Sequence, residues 1–158
     1  MAKLISEDKE VKSSLEIVIL KDKLKQKPSI SWVPYKLVVN SANKELIYEK
    51  KDGDNGSGDY VLALEPVNEV DNLINSISNF VKSDTSKMFS FEAIEPSFEL
   101  ILERSYKGYS VICWLDAGNV ISDHYTWDGF GVRFFTNEGN LLSFVKELDE
   151  EVRNLRCA

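Results

Sequence analysis

A change of hydrophobic period, made twice along the chain, constrains this fold more than any other feature. Phe98, Leu100 and Leu102 alternate with Glu99 and Glu103, and Tyr109, Val111, Cys113 and Leu115 repeat the pattern. A period of two belongs to a strand with one buried face. Further on the spacing becomes three and four: Leu141, Phe144, Val145, Leu148, Val152 and Leu155 share one helical face, while Lys146, Glu147, Asp149, Glu150 and Glu151 take the other. The same switch occurs earlier, where β-rich runs give way to Val70, Leu73, Ile74, Ile77 and Val81 at helical spacing. There Pro66 is tolerated at the helix start and Asn68 is placed to cap it.

In chain order, residues 1–14 are charged and lack period, which predicts a flexible N-terminal arm. Strands follow over Leu15–Leu20, Ile30–Asn40, Glu45–Lys50 and Tyr60–Leu64, and a helix over Asn68–Val81. Pro34 predicts an edge position or a bulge for the second strand. The glycine-rich run KDGDNGSGD predicts a hairpin loop between the third strand and the fourth. After the polar break SDTSK come strands over Met88–Ile94, Ser97–Arg104, Tyr109–Asp116 and Phe130–Phe135, then a helix over Asn140–Leu155. A gap-free alignment of Val61–Ile77 on Val132–Leu148 pairs Val61 with Val132 and Ala63 with Phe134 in the strands. In the helices it pairs Val70 with Leu141, Leu73 with Phe144, Ile74 with Val145 and Ile77 with Leu148. The expectation is one α+β domain over residues 15–158. It consists of two four-stranded antiparallel sheets, each followed by a helix, with halves 15–83 and 88–155 sharing one core in a pseudo-two-fold arrangement.

Charge is divided unevenly between these halves. Residues 1–83 carry 13 acidic and 12 basic side chains, whereas residues 84–158 carry 13 acidic and 7 basic, a balance of −6. An acidic body repels phosphates and attracts a basic partner. No apolar run reaches the roughly 18 to 20 residues of a bilayer span, and residues 1–10 are too polar for a signal peptide, so a cytoplasmic location without membrane contact is expected. Two cysteines, one mid-strand and one next to the last residue, do not form a disulfide framework.

Catalytic chemistry is weakly represented. The single histidine, His124, is flanked by Asp123 and Asp128, with Asp116 nearby, so a carboxylate-oriented general base is conceivable. A nucleophilic set of Cys113, His124 and an aspartate is conceivable too, but Cys113 shares the packed face of its strand with Val111 and Leu115. Neither a nucleophile elbow nor a phosphate loop is present. A zinc site lacks ligands. In the loop beginning at Asp52, a calcium register fails because Gly56 and Ser57 stand at positions five and six. The chain is therefore expected to be neither an enzyme nor a holder of a metal or cofactor. The connection bearing Asp116, Asp123, His124, Tyr125, Trp127 and Asp128 instead combines aromatic anchors with negative charge, as protein interfaces do. The alternative for these residues is that Trp127 caps the sheet end and the aspartates only form turns.

The order of strands and helices resembles that of the Whirly family of single-stranded DNA binders, and Trp114, Tyr125 and Trp127 would supply stacking aromatics. The acidic second half makes a nucleic-acid partner the weaker expectation. The run FEAIEPSFEL, the WLDAGN turn and the WDGFGVRFF strand leading into an amphipathic helix resemble the WapI-type immunity proteins over about Phe89 to Val152. Ile94, Glu95, Pro96, Phe98 and Leu100 carry much of that resemblance. It implies a small bacterial cytoplasmic protein that neutralises a cognate polymorphic or contact-dependent-inhibition toxin domain by binding it. Many such toxins are nucleases with basic clefts, which suits an acidic inhibitor.

Overall fold

A computed structural model describes residues 1–8, 10–20, 32–42, 44–48, 61–63, 68–94, 98–116 and 129–156. Its first sheet comprises β1 (Ala2–Ile5), β2 (Ser13–Ile19), β3 (Trp32–Ser41), β4 (Lys44–Tyr48) and β5 (Val61–Ala63), followed by helix α1 (Glu69–Lys82). The second comprises β6 (Met88–Glu92), β7 (Phe98–Ser105), β8 (Gly108–Asp116) and β9 (Gly129–Thr136), followed by helix α2 (Glu138–Arg156). Every pairing among the described strands is antiparallel, and the fold is the expected α+β alternation of sheet, helix, sheet, helix. No described helix is long and apolar enough to cross a membrane.

Residues 2–5, expected in a flexible arm, form β1 instead. The strand is short, but Ala2 and Leu4 are fully buried, and β1 pairs with β2 from Ala2↔Ile17 to Ile5↔Ser14. The turn into β2 is closed by the Asp8 carboxylate, which accepts the N–H groups of Glu10 at 2.8 Å and Val11 at 3.1 Å. Those two bonds, that from Val11 foremost, lower the carboxyl pKa. A strand of four residues, with two buried apolar positions and an exposed Ile5 that breaks the alternation, leaves almost no periodic signal. It folds because a sheet edge and a helix are there to receive it, α2 packing across it.

Two further expectations are corrected. Pro34 is not at an edge: β3 lies between β2 on one side and β4 and β5 on the other. The proline sits just beyond the β2 ladder, where its carbonyl accepts the Leu20 N–H at 2.9 Å, so its missing N–H removes only a terminal bond. Strands β4 and β5 do not form a hairpin with each other. Both pair with β3, β4 along Leu37–Ser41 and β5 along Trp32–Pro34, because a ten-residue strand has room for a five-residue and a three-residue partner in succession. The glycine-rich run between them, including Asp52, lies outside the described residues.

The inner faces of both sheets and the apolar stripes of both helices form one contiguous core. Tyr35 of β3 meets Phe98 of β7 edge to face, with centroids 5.8 Å apart. All four aligned helix pairs are buried, Val70 with Leu141, Leu73 with Phe144, Ile74 with Val145 and Ile77 with Leu148. The alignment fails in the preceding strands. Leu62 is buried whereas Arg133, its aligned partner, is exposed, so the β5 strand is out of phase with β9. The connections explain the slip: residues 64–68 separate β5 from α1, and Asn137 alone separates β9 from α2. Asn137 caps α2 by accepting the Asn140 N–H on Oδ1 at 2.9 Å. Asn68, by contrast, takes a left-handed backbone conformation (φ 50°) and makes no side-chain cap bond to α1.

Arg104, at the end of β7, fastens the first half to the second. Its guanidinium donates to the carbonyls of Phe80 (2.7 Å), Val81 (3.1 Å) and Ser83 at the C-terminus of α1. It also donates to the Ser86 carbonyl at 2.9 Å and the Tyr109 hydroxyl at 3.1 Å. The ring centroids of Phe80 and Tyr109 lie 5.2 and 5.3 Å from the guanidinium carbon. At the opposite end of the helix pair, Arg156 of α2 bonds Asp71 of α1 at 2.5 Å.

Two stability measurements follow by chemical denaturation. Arg104→Met should cost about 2–3 kcal/mol by leaving helix-end carbonyls unpaired, and Arg104→Lys should recover only part of it, since an ammonium lacks the guanidinium's planar array of donors. Leu4→Ala should cost about 2–4 kcal/mol, the range for a buried leucine, where a flexible arm would lose nothing.

Candidate functional site

Strands β8 and β9 frame the candidate site. They pair without interruption from Tyr109↔Thr136 to Asp116↔Gly129, so residues 117–128 connect the paired ends of these two strands. Of the six expected recognition residues, Asp116 ends β8 and fixes where the loop begins. Asp123, His124, Tyr125, Trp127 and Asp128 lie outside the described residues.

The outer sheet face next to the Asp116↔Gly129 pair is built from described residues. Alternation sends Phe98, Leu100, Leu102, Val111, Cys113 and Leu115 into the core, leaving the other set on the outer side. Pairing arranges that outer set in three rows. Glu92, Glu99, Trp114 and Gly131 lie nearest the loop, then Ser90, Ile101, Ile112 and Arg133, then Met88, Glu103, Ser110 and Phe135. Trp114 is 44% exposed. Its six-membered ring lies across Gly131, where a Cβ would fall 2.5 Å from Cε3 and 2.6 Å from Cζ3. Glycine at this position makes room for the indole, and the indole covers backbone that glycine leaves bare. Arg133 donates from Nε to the Ser110 hydroxyl at 3.1 Å and lies 5.8 Å from the Phe135 ring centroid.

Chemically, this face can bind by stacking, apolar contact and charge. Cys113, expected from its alternation to be a packed core residue, is fully buried in the core. Burial, with a smaller contribution from the Glu99 charge, pushes its thiol up to about 12, which leaves almost no thiolate at neutral pH. Among the described residues no group of three or more His, Cys, Asp or Glu side chains is placed to hold a metal ion.

The outer face was only partly legible in the sequence. Glu99 and Glu103 read as a solvated strand face, and Trp114 entered as a stacking aromatic without a place on that face. The signal available was parity: Trp114 and Ile112 fall on the opposite alternation from Cys113 and Val111, so the second apolar set on β8 had to face outward. Comparison with known proteins adds no relative, since no family model, no curated protein and no solved structure matches the chain.

The buried thiol makes stability depend on alkaline pH. Below its ordinary value of 9.0 it is protonated folded and unfolded alike, so its contribution is fully present. As pH rises from there towards about 12 the unfolded chain ionises first, and stability falls. Tyr48, also raised chiefly by burial, acts with the same sign. Denaturant titrations across this range should show the decline, and Cys113→Ala should remove the thiol's share of it.

Proposed function

We propose that this protein is an immunity protein: it binds a cognate bacterial toxin domain in the cytoplasm and neutralises it stoichiometrically, by masking the active site or another essential surface. The observation that carries this reading is the exposed indole of Trp114, supported on Gly131 one outward position along the sheet from the Asp116↔Gly129 pair. The connection 117–128 holds Asp123, His124, Tyr125, Trp127 and Asp128, so the sequence joining β8 to β9 combines aromatic anchors with carboxylates. The half of the chain that bears them is the acidic one, with 13 acidic and 7 basic side chains over residues 84–158. Such a surface accelerates encounter with a basic partner and penalises an acidic one. A nuclease toxin with a basic substrate cleft has the matching chemistry, and the resemblance of Phe89–Val152 to WapI-type immunity proteins points to the same class.

Co-expression with the product of the gene immediately upstream tests the reading directly. The expected result is an equimolar complex in which the toxin domain has lost its activity, and failure of the two proteins to associate rejects the function. Within that complex, the combined variant Asp123→Lys, Asp128→Lys, Trp127→Ala should weaken binding by about tenfold or more with an unchanged thermal midpoint. Unchanged affinity would remove the loop from the interface while leaving the function in place.

A further inference from the structure

We infer that the outer face of the second sheet is itself a docking surface for a basic segment of the toxin domain, with Trp114 as its anchor and Glu92, Glu99 and Glu103 as its charges. The inference rests on the toxin-binding reading and extends its interface from the loop onto the sheet.

The inner side of β6–β9 is committed to the core, so the sheet's remaining recognition chemistry lies on the outside. Three features there match a cationic peptide segment. First, the Trp114 ring lies against Gly131 and the residue is 44% exposed. A large rigid side chain held in place loses little freedom on binding, and the indole face is the strongest aromatic acceptor for a guanidinium or ammonium group. The same chemistry already operates elsewhere in this protein, where the Arg104 guanidinium packs against both the Phe80 ring of α1 and the Tyr109 ring of β8.

Second, Glu92 and Glu99 are directly opposed across β6 and β7, and Glu99 is directly opposed to Trp114 across β7 and β8. Like charges at opposed positions repel in the free protein. A partner cation inserted beside the indole would relieve that repulsion and gain charge-assisted hydrogen bonds. Third, Arg133 is the one cation in the three rows, and Ser110 and Phe135 engage it. Three carboxylates against one engaged guanidinium favour a basic peptide and oppose a phosphate backbone. Ile101 and Ile112, opposed at the centre of the face, supply apolar contact between the charges and Phe135.

The test is calorimetric titration of the full chain with the toxin domain encoded upstream, at low and high salt. Three variants are compared with the parent: Trp114→Ala, the double reversal Glu92→Lys with Glu99→Lys, and Glu45→Lys on exposed β4 of the other sheet. Each face variant should weaken binding by about tenfold or more, the double reversal should also lose most of the salt dependence, and Glu45→Lys should bind as the parent does. Thermal midpoints identify a variant that has failed to fold, and if Trp114→Ala does so the carboxylate reversal decides. Parent binding with no loss in the face variants overturns the face and leaves the toxin-binding reading standing; no binding by the parent overturns both. A fluorescent oligothymidylate strand forms the second arm. Binding that disappears in Trp114→Ala would overturn the protein partner and make the face a base-stacking platform.

Discussion

The Arg104 guanidinium joins the two halves of this protein at one point. Five oxygen atoms accept from it, three of them carbonyls at the C-terminus of α1, and it packs against two aromatic rings that also meet each other edge to face. The end of a helix carries unpaired carbonyls and partial negative charge, so a cation there satisfies both hydrogen bonding and electrostatics. Because the helix belongs to the first half and the arginine to the second, this local cap also sets how the halves meet. The need for such a junction arises from layering: each sheet has one apolar face and each helix one apolar stripe, and the contiguous core draws on all four.

Strand β1 closes the junction from the other side. The Ile5 carbonyl accepts the Thr136 hydroxyl at 2.7 Å and the Asn140 amide at 3.3 Å, and the Glu7 N–H reaches the Phe135 carbonyl at 2.9 Å. The Lys3 N–H donates to Glu147 of α2 at 3.0 Å. A segment from the start of the chain thus contacts both the last strand and the last helix. With both inner faces so enclosed, a binding partner of the kind proposed would have only outer faces and connections to contact. The end of the second sheet, where the Trp114 indole lies across Gly131, combines an exposed aromatic ring with the opposed carboxylates of Glu92 and Glu99.

The legible and illegible parts of the fold separate by range of interaction. Helix faces were readable because four or five apolar residues at spacings of three and four repeat one signal: Leu141, Phe144, Val145 and Leu148 are all buried, as are their partners in α1. The second sheet was readable for the same reason, its long strands alternating over eight or nine residues. β1 was not, since four residues hold too few periods. The arrangement of β4 and β5 was not either, since both compete for the same edge of β3 and only the length of β3 lets them share it. At the candidate site, residue chemistry drew attention to the loop, whereas the rows of Glu92, Glu99 and Trp114 on the sheet depended on register between strands.

By itself, then, the sequence determined the classes of element, the faces they bury, the alternation of sheet and helix, and the acidic character of the second half. All of these follow from side-chain period and charge, which are local or additive properties. The tertiary structure decided that residues 2–5 are a strand, that Pro34 lies inside a sheet, that Arg104 caps a helix from the other half, and that Trp114 rests on Gly131. Each of these depends on groups far apart in the chain meeting at a few ångströms, and neither period nor composition encodes that distance.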